Sequence, residues 1–136
     1  MPFTRVAVKE GTSSEKKQAI AQGVHQAMVD SIGIPQDDFF QLISEYGQDD
    51  FFFNRNFLGV DRSDDLVVIQ ITMRRGRSDA MKRDLYAGIA DNLKSSVGVR
   101  PQDVFIYMSE NDFSDWSVGN GQMRIAIVPQ RGDDKP

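Results

Sequence analysis

Apolar positions fall along the chain in alternating strand and helix rhythms. Phe3 to Val8 is mostly apolar and β-branched, and reads as a strand closed by Gly11. Thr12, with Glu15 three residues on, has the form of a capping box. The helix it opens carries Ile20, Val24, Ala27, Met28 and Ile32 at spacings of three and four, which make one apolar face. Gly33 closes this helix and Pro35 prevents its return. Phe39 to Glu45 is a second strand. Residues 47–65 are less regular: Phe51-Phe52-Phe53 reads as a short strand or an apolar plug, and Asp61 to Asp65 as a polar turn. Leu66 to Met73 has the strongest strand pattern of the chain, and Arg74-Arg75-Gly76-Arg77 follows it directly. Ser78 caps a second helix with Leu85, Ile89, Leu93 and Val97 on its apolar face. Gly98 and Pro101 end that helix, and Val104 to Ser109 is another strand. Trp116-Ser117-Val118 and Met123 to Val128 flank Gly119-Asn120-Gly121, where Asn-Gly signals a hairpin. Gln130 to Pro136 read as a frayed tail.

The two halves repeat. At an offset of 65, Ser13 meets Ser78, Lys17 meets Lys82, Gly23 meets Gly88, and Ile32-Gly33-Ile34 meets Val97-Gly98-Val99. Reading Arg100 as one inserted residue aligns Pro35-Gln36-Asp37 with Pro101-Gln102-Asp103 and sets Asp38 against Val104. The same offset places Pro2 against Val67. Each half is therefore a β-α-β unit, over about residues 2–46 and 66–110, with a helix long enough to cross to a parallel strand. The expected fold is α+β, a single domain over residues 1–136. It comprises a four-stranded mixed sheet with two helices on one face, plus a short C-terminal hairpin at about residues 115–128. The strands read as apolar on both sides, so another subunit is expected to cover the face without helices.

Composition narrows the function classes. Hydrophobic residues make up 40% and charged residues 26% of 136, an ordinary globular mix with room for a real core. The net charge of -4 argues against a nucleic-acid or anionic-membrane partner. The chain has no cysteine, which excludes disulfides and thiol catalysis, and its single histidine makes a metal site unexpected. No basic-then-apolar leader opens the chain and no apolar run nears about 18 residues, so a cytoplasmic protein is expected.

Candidate chemistry starts at Pro2. Initiator methionine is readily removed before a small residue, and removal of Met1 would leave Pro2 as a free secondary amine. An α-amino group titrates at about 7.7–8.0. Desolvation beside a core lowers that value. Such an amine can act as a base, an acid or a carbonyl-attacking nucleophile near neutral pH. With Met1 in place, Pro2 is an amide that stiffens the first residue of a strand. Arg74, Arg75 and Arg77 sit at a strand's carboxyl end and a helix's amino end. Unpaired N–H groups and the helix dipole favour an anion there, and the guanidinium fork suits a carboxylate. Asp38 lies in the polar turn Gln36-Asp37-Asp38, against a strand start in the other repeat, where a carboxylate can orient a water or the Pro2 amine. His25 stands off the strongest apolar stripe of its helix and reads as structural.

A doubled β-α-β chain headed by a proline resembles the tautomerase superfamily, and within it the malonate semialdehyde decarboxylase branch. The residues that carry the likeness are Pro2, Gly33-Ile34-Pro35-Gln36-Asp37-Asp38, Arg62-Ser63, Gly76-Arg77, and Glu110-Asn111 with Asp115-Trp116-Ser117. The resemblance implies a homotrimer with sites near subunit contacts, and decarboxylation of 3-oxopropanoate to acetaldehyde with no cofactor. It makes Pro2 the catalytic amine, Asp38 the family aspartate after the Gly-x-Pro turn, and Arg77 the arginine that opens the second helix. Arg75 or Arg74 is the partner arginine, depending on where one extra residue falls, and Trp116 lines an apolar wall. The family often has an aromatic where Val118 stands, so a wider pocket is expected here. Dehalogenating relatives use a histidine on the first helix, about where Met28 stands, which disfavours that chemistry. Two alternatives stay open: a tautomerase or hydratase of a small 2-oxo or unsaturated acid, and a non-enzymatic trimeric binding protein if Met1 is retained.

Overall fold

The computed structural model describes residues 2–123. Strand β1 (Phe3–Lys9) leads to helix α1 (Ser14–Ile32) and strand β2 (Gln41–Tyr46). Strand β3 (Val67–Arg74), helix α2 (Asp79–Val97) and strand β4 (Val104–Asn111) repeat that order. The sheet runs β2-β1-β3-β4. Each unit pairs its own strands in parallel, β1 with β2 and β3 with β4. The units join through antiparallel β1 and β3, so the sheet is mixed. The strands bury alternate residues, as a half-covered sheet requires: Thr4, Val6 and Val8 of β1, and Val67, Ile69, Ile71 and Met73 of β3. Onto these pack Ile20, Val24 and Met28 of α1, with Leu85, Ile89 and Leu93 of α2. Gly23 and Gly88 let the two helices come close: a Cβ on Gly23 would stand 3.0 Å from Leu93 Cδ1, and one on Gly88 3.4 Å from the Ala27 Cβ. Among the described residues no helix is long and apolar enough to cross a membrane.

Several local expectations change. Ser13, not Thr12, caps α1 by accepting the Lys16 N–H at 3.1 Å, while the Thr12 hydroxyl donates to the Lys9 carbonyl at 2.7 Å. Strand β2 begins at Gln41, because the Asp38 N–H bonds Pro35 O and the Phe39 N–H bonds Asp37 O, which prolongs the turn. Phe51 to Phe53 form neither a strand nor a plug; the Phe51 and Phe53 rings meet edge-on with centroids 5.3 Å apart while Phe52 is 84% exposed. The Asn-Gly turn forms, with Asn120 and Gly121 at φ 60 and 68 and Gln122 N–H bonded to Gly119 O. Residues 124–128 of the expected hairpin, the tail from Gln130, and Met1 lie outside the described residues. The helix-free face is mixed rather than wholly apolar: Leu42, Tyr46, Phe105 and Tyr107 are exposed on it, interleaved with Arg5, Ser44 and Gln70.

The repeat keeps one offset throughout. Both helices have 19 residues and start 65 apart, and so do the 3-10 turns Gln48–Asp50 and Phe113–Asp115. The turn bond from Asp38 N–H to Pro35 O recurs from Asp103 N–H to Arg100 O. Arg100 is therefore no insertion, and Asp38 corresponds to Asp103 rather than Val104. The sequence match at Pro-Gln-Asp is displaced by one residue from the structural one. Burial agrees, since Asp38 and Asp103 are 3% and 1% exposed while Asp37 is exposed.

Candidate active site

Antiparallel pairing brings the start of β1 to the end of β3. Phe3 stands opposite Thr72, and Met73 and Arg74 stand opposite Glu110 and Asn111 of β4. The Thr4 N–H bonds Phe40 O at 3.1 Å, which draws the turn carrying Asp38 to the same edge. Buried Pro2, Asp38 and the arginine loop after β3 thus share one sheet end. Burial pushes the Asp38 carboxyl above its usual range; the positive amino terminus, His25 and Arg77 pull it back, and Asp37 adds to the rise. Arg77 is half-buried, and its Nη1 donates to Arg74 O at 3.3 Å, closing the loop into α2. Burial and then Arg74 lower its pKa, against Asp38 and Glu110. Arg74 is exposed, over the Phe113 ring at 5.8 Å. Arg75 turns to Asp112, with Nε 2.9 Å from Oδ1 in an exposed pair. The Trp116 Nε1–H donates to Asn111 Oδ1 at 2.7 Å, tying the indole to the end of β4, and Val118 is half-buried beyond it.

The opposite sheet end is the repeat counterpart. A cleft of about 720 Å³ opens there, lined by Lys9, Tyr46, Phe51, Phe53 and Arg55 among others. By the 65-residue offset, Lys9 stands for Arg74, Thr12 for Arg77, Phe51 for Trp116 and Phe53 for Val118. The charge set is dismantled there. Lys9 is paired to Asp65 at 2.6 Å. Asp103 accepts Ser63 N–H at 2.7 Å, Ser63 Oγ–H at 2.6 Å and Arg100 Nε–H at 3.2 Å. Among the described residues, no cluster of three or more metal-binding side chains forms.

A model of the tautomerase enzyme family matches residues 38–119, and a second tautomerase enzyme model matches residues 2–60. The chain belongs to the tautomerase family. Probable tautomerase YusQ of Bacillus subtilis (strain 168) is 38% identical over 125 residues, 92% of this chain and 98% of the relative. Probable tautomerase YrdN of the same organism is 29% identical over 125 residues, with coverage of 92% and 96%. Among solved structures, the FG41 malonate semialdehyde decarboxylase inhibited by 3-bromopropiolate superposes with TM-score 0.83 at 34% identity, over 89% of this chain and 92% of that one. A fused 4-OT symmetric trimer, at 21% identity and TM-score 0.73 with coverage of 88% and 94%, shares the fold.

Within this tautomerase fold, sequence reasoning missed three features. Lys82 and Glu110 pair at 2.9 Å beside Arg77, as Lys17 and Glu45 do at 3.3 Å in the other unit. The Lys17/Lys82 repeat match was the signal available for it. Thr4 lies at a fully buried position opposite Gln41, and neither Thr4 Oγ1 nor Gln41 Oε1 has a hydrogen bond among the described residues. A threonine at the inward parity of an apolar strand marked that spot. His25 is fully buried beside Asp38, and its place three and seven residues before Met28 and Ile32, at the margin of the apolar face, was the signal available for it.

Proposed function

We propose that this protein decarboxylates 3-oxopropanoate (malonate semialdehyde) to acetaldehyde without a cofactor, using the amine of Pro2 once Met1 is removed. The observation that carries the reading is Asp38, a carboxyl only 3% exposed at the same sheet end as buried Pro2 and the arginine loop after β3. The 34% identity to a malonate semialdehyde decarboxylase over most of both chains supports it. Arg77 binds the substrate carboxylate, and Arg74 or Arg75 supplies a second cation. The Arg75–Asp112 pair is exposed, and such pairs contribute little, so a substrate can displace it. Trp116 and Val118 line the apolar side.

Asp38 holds the Pro2 ammonium against the aldehyde oxygen. Its negative charge opposes the effect of burial on the amine and keeps the proton in place. The C1–C2 bond breaks, carbon dioxide leaves, and the electron pair passes into an enolate over C2, C3 and the aldehyde oxygen that the Pro2 cation stabilises. A proton delivered to C2 gives acetaldehyde. In the alternative route the unprotonated Pro2 amine condenses with the aldehyde, releasing water, and the iminium takes up the same electron pair as an enamine, which is protonated at C2 and hydrolysed to acetaldehyde and the free amine.

A second reading keeps the site and changes the reaction to keto-enol tautomerisation of a 2-oxo acid or hydration of an unsaturated acid. The near full-length relatives named probable tautomerases favour it. Release of carbon dioxide and acetaldehyde from 3-oxopropanoate, measured beside ketonisation of phenylenolpyruvate, separates the two. Absence of carbon dioxide defeats the decarboxylase reading. Met1 retained in the native protein, read by N-terminal mass, leaves a non-enzymatic binding protein. The helix-free sheet face, with exposed Leu42, Tyr46, Phe105 and Tyr107, supports a homotrimer. A monomer in sedimentation at micromolar concentration defeats that assignment.

A further inference from the structure

His25 touches the turn at Gln36 and Phe39, two residues before Asp38 and one after it. Its Nε2 lies 2.7 Å from the Gln36 carbonyl oxygen. Its ring meets Phe39 edge-on, with centroids 4.6 Å apart and planes at 75°. A carbonyl oxygen only accepts, so Nε2 carries the hydrogen. Nδ1 is then left buried with no partner among the described residues, in a side chain 1% exposed. An apolar side chain would avoid that cost. The other repeat does avoid it: Ala90 stands at the counterpart position, and its turn is held through Asp103 by Ser63 and Arg100 instead. The imidazole is therefore confined to the repeat that carries Asp38.

We propose that His25 is a positioning residue for Asp38: its Nε2–H holds the Gln36 carbonyl and its ring holds Phe39, so the turn presents the carboxylate to the amino terminus and Arg77 in one orientation. This rests on the role proposed for Asp38 above. Arg77 lies on another element, so loosening the turn misplaces Asp38 while leaving carboxylate binding intact. The defect belongs in kcat, not KM.

The test compares His25→Leu, His25→Gln and His25→Asn. The glutamine nitrogen stands as many bonds from Cα as Nε2 and reaches the Gln36 carbonyl; the asparagine nitrogen is one bond short. With 3-oxopropanoate, His25→Leu and His25→Asn are expected to lower kcat about 10- to 100-fold with KM within about twofold, and His25→Gln to recover kcat to within about threefold. Equal kcat in the Gln and Asn variants, or a loss carried by KM, overturns the assignment. If His25→Leu does not fold, the Gln and Asn pair still decides, since both are polar. Amide exchange at Asp38, read by NMR without substrate, should quicken at least about tenfold in His25→Asn and stay at the wild-type rate in His25→Gln. Unchanged exchange in His25→Asn overturns the assignment too. Asp38→Asn in the same kinetic assay reports separately. Full activity there removes Asp38 from the site, whereas an inactive Asp38→Asn beside a fully active His25→Asn overturns only the role of His25.

Discussion

Asp38 and Asp103 occupy one repeat position, yet replacing each with asparagine is expected to shift stability in opposite directions. Burial holds the Asp38 carboxyl above its ordinary value. Its folded pKa lies above the unfolded one, about 3.9. Its contribution is therefore fully present below that unfolded value and is lost as pH rises through the folded one. At pH 7 the ionised group weighs against folding, by about 1.4 kcal/mol for each pKa unit of displacement. Asparagine keeps the shape without the charge. Asp38→Asn should therefore melt at or above the wild-type temperature at pH 7, an advantage that fades below about pH 4. Burial also pushes Asp103 upward, but the two Ser63 hydrogen bonds and the Arg100 bond outweigh it and leave the carboxyl below its usual range. Its contribution is present above the unfolded pKa and is lost as pH falls through the folded value. Asp103→Asn weakens those charge-assisted bonds at a cost of about 2–3 kcal/mol at pH 7. At about 3–5 °C per kcal/mol, Tm falls by roughly 6–15 °C.

Thermal melts from pH 3 to 8 read both variants, and product assays read their chemistry. Asp38→Asn should lose decarboxylation at least about 30-fold, for about 2 kcal/mol of lost charge interaction, while keeping most ketonisation of phenylenolpyruvate. Pro2 alone can move a proton between carbon and oxygen, whereas decarboxylation also needs its cation held in place. Asp103→Asn should keep both activities below its Tm. If Asp38→Asn melts as low as Asp103→Asn, Asp38 is an anchor and its burial serves the fold. Equal loss of both activities makes it a general site residue.

Three further outcomes are expected. Arg77→Ala should stay folded and lose about 2–4 kcal/mol of transition-state binding in kcat/KM toward carboxylate substrates; an unchanged value places Arg77 outside the site. A 3-halopropiolate should add a single label, at Pro2, by mass spectrometry of the proteolysed protein; a label elsewhere excludes the amine as nucleophile. Gly23→Ala should destabilise by about 1–2 kcal/mol by pressing a methyl onto Leu93, whereas Gly88→Ala, whose methyl meets Ala27 at ordinary contact distance, should be near neutral; equal denaturation midpoints would contradict the close approach of the helices at Gly23.

Apolar periodicity, Gly33 and Gly98 as helix stops, and the 65-residue echo between Ser13 and Ser78 were legible because they are local or repeated properties of the chain. From them the two β-α-β units and the mixed four-stranded sheet follow, whereas Pro2, Asp38 and Arg77 were singled out together by the resemblance to the tautomerase superfamily and not by periodicity. The start of β2 was not legible, because turn bonds at Pro35 and Asp37 compete with the ladder, and single residues do not weigh that competition. Nor was the partner of Asp38 in the repeat: three matching letters outvoted the register that backbone pairing imposes. The burial of His25 against Gln36 and Phe39, the turning of Arg75 to Asp112, and the opposite shifts of Asp38 and Asp103 were decided only by tertiary structure. Each depends on which groups far apart in the chain come within a few ångströms of one another. The direction in which a buried carboxyl's pKa shifts follows from those neighbours, which its own identity does not reveal.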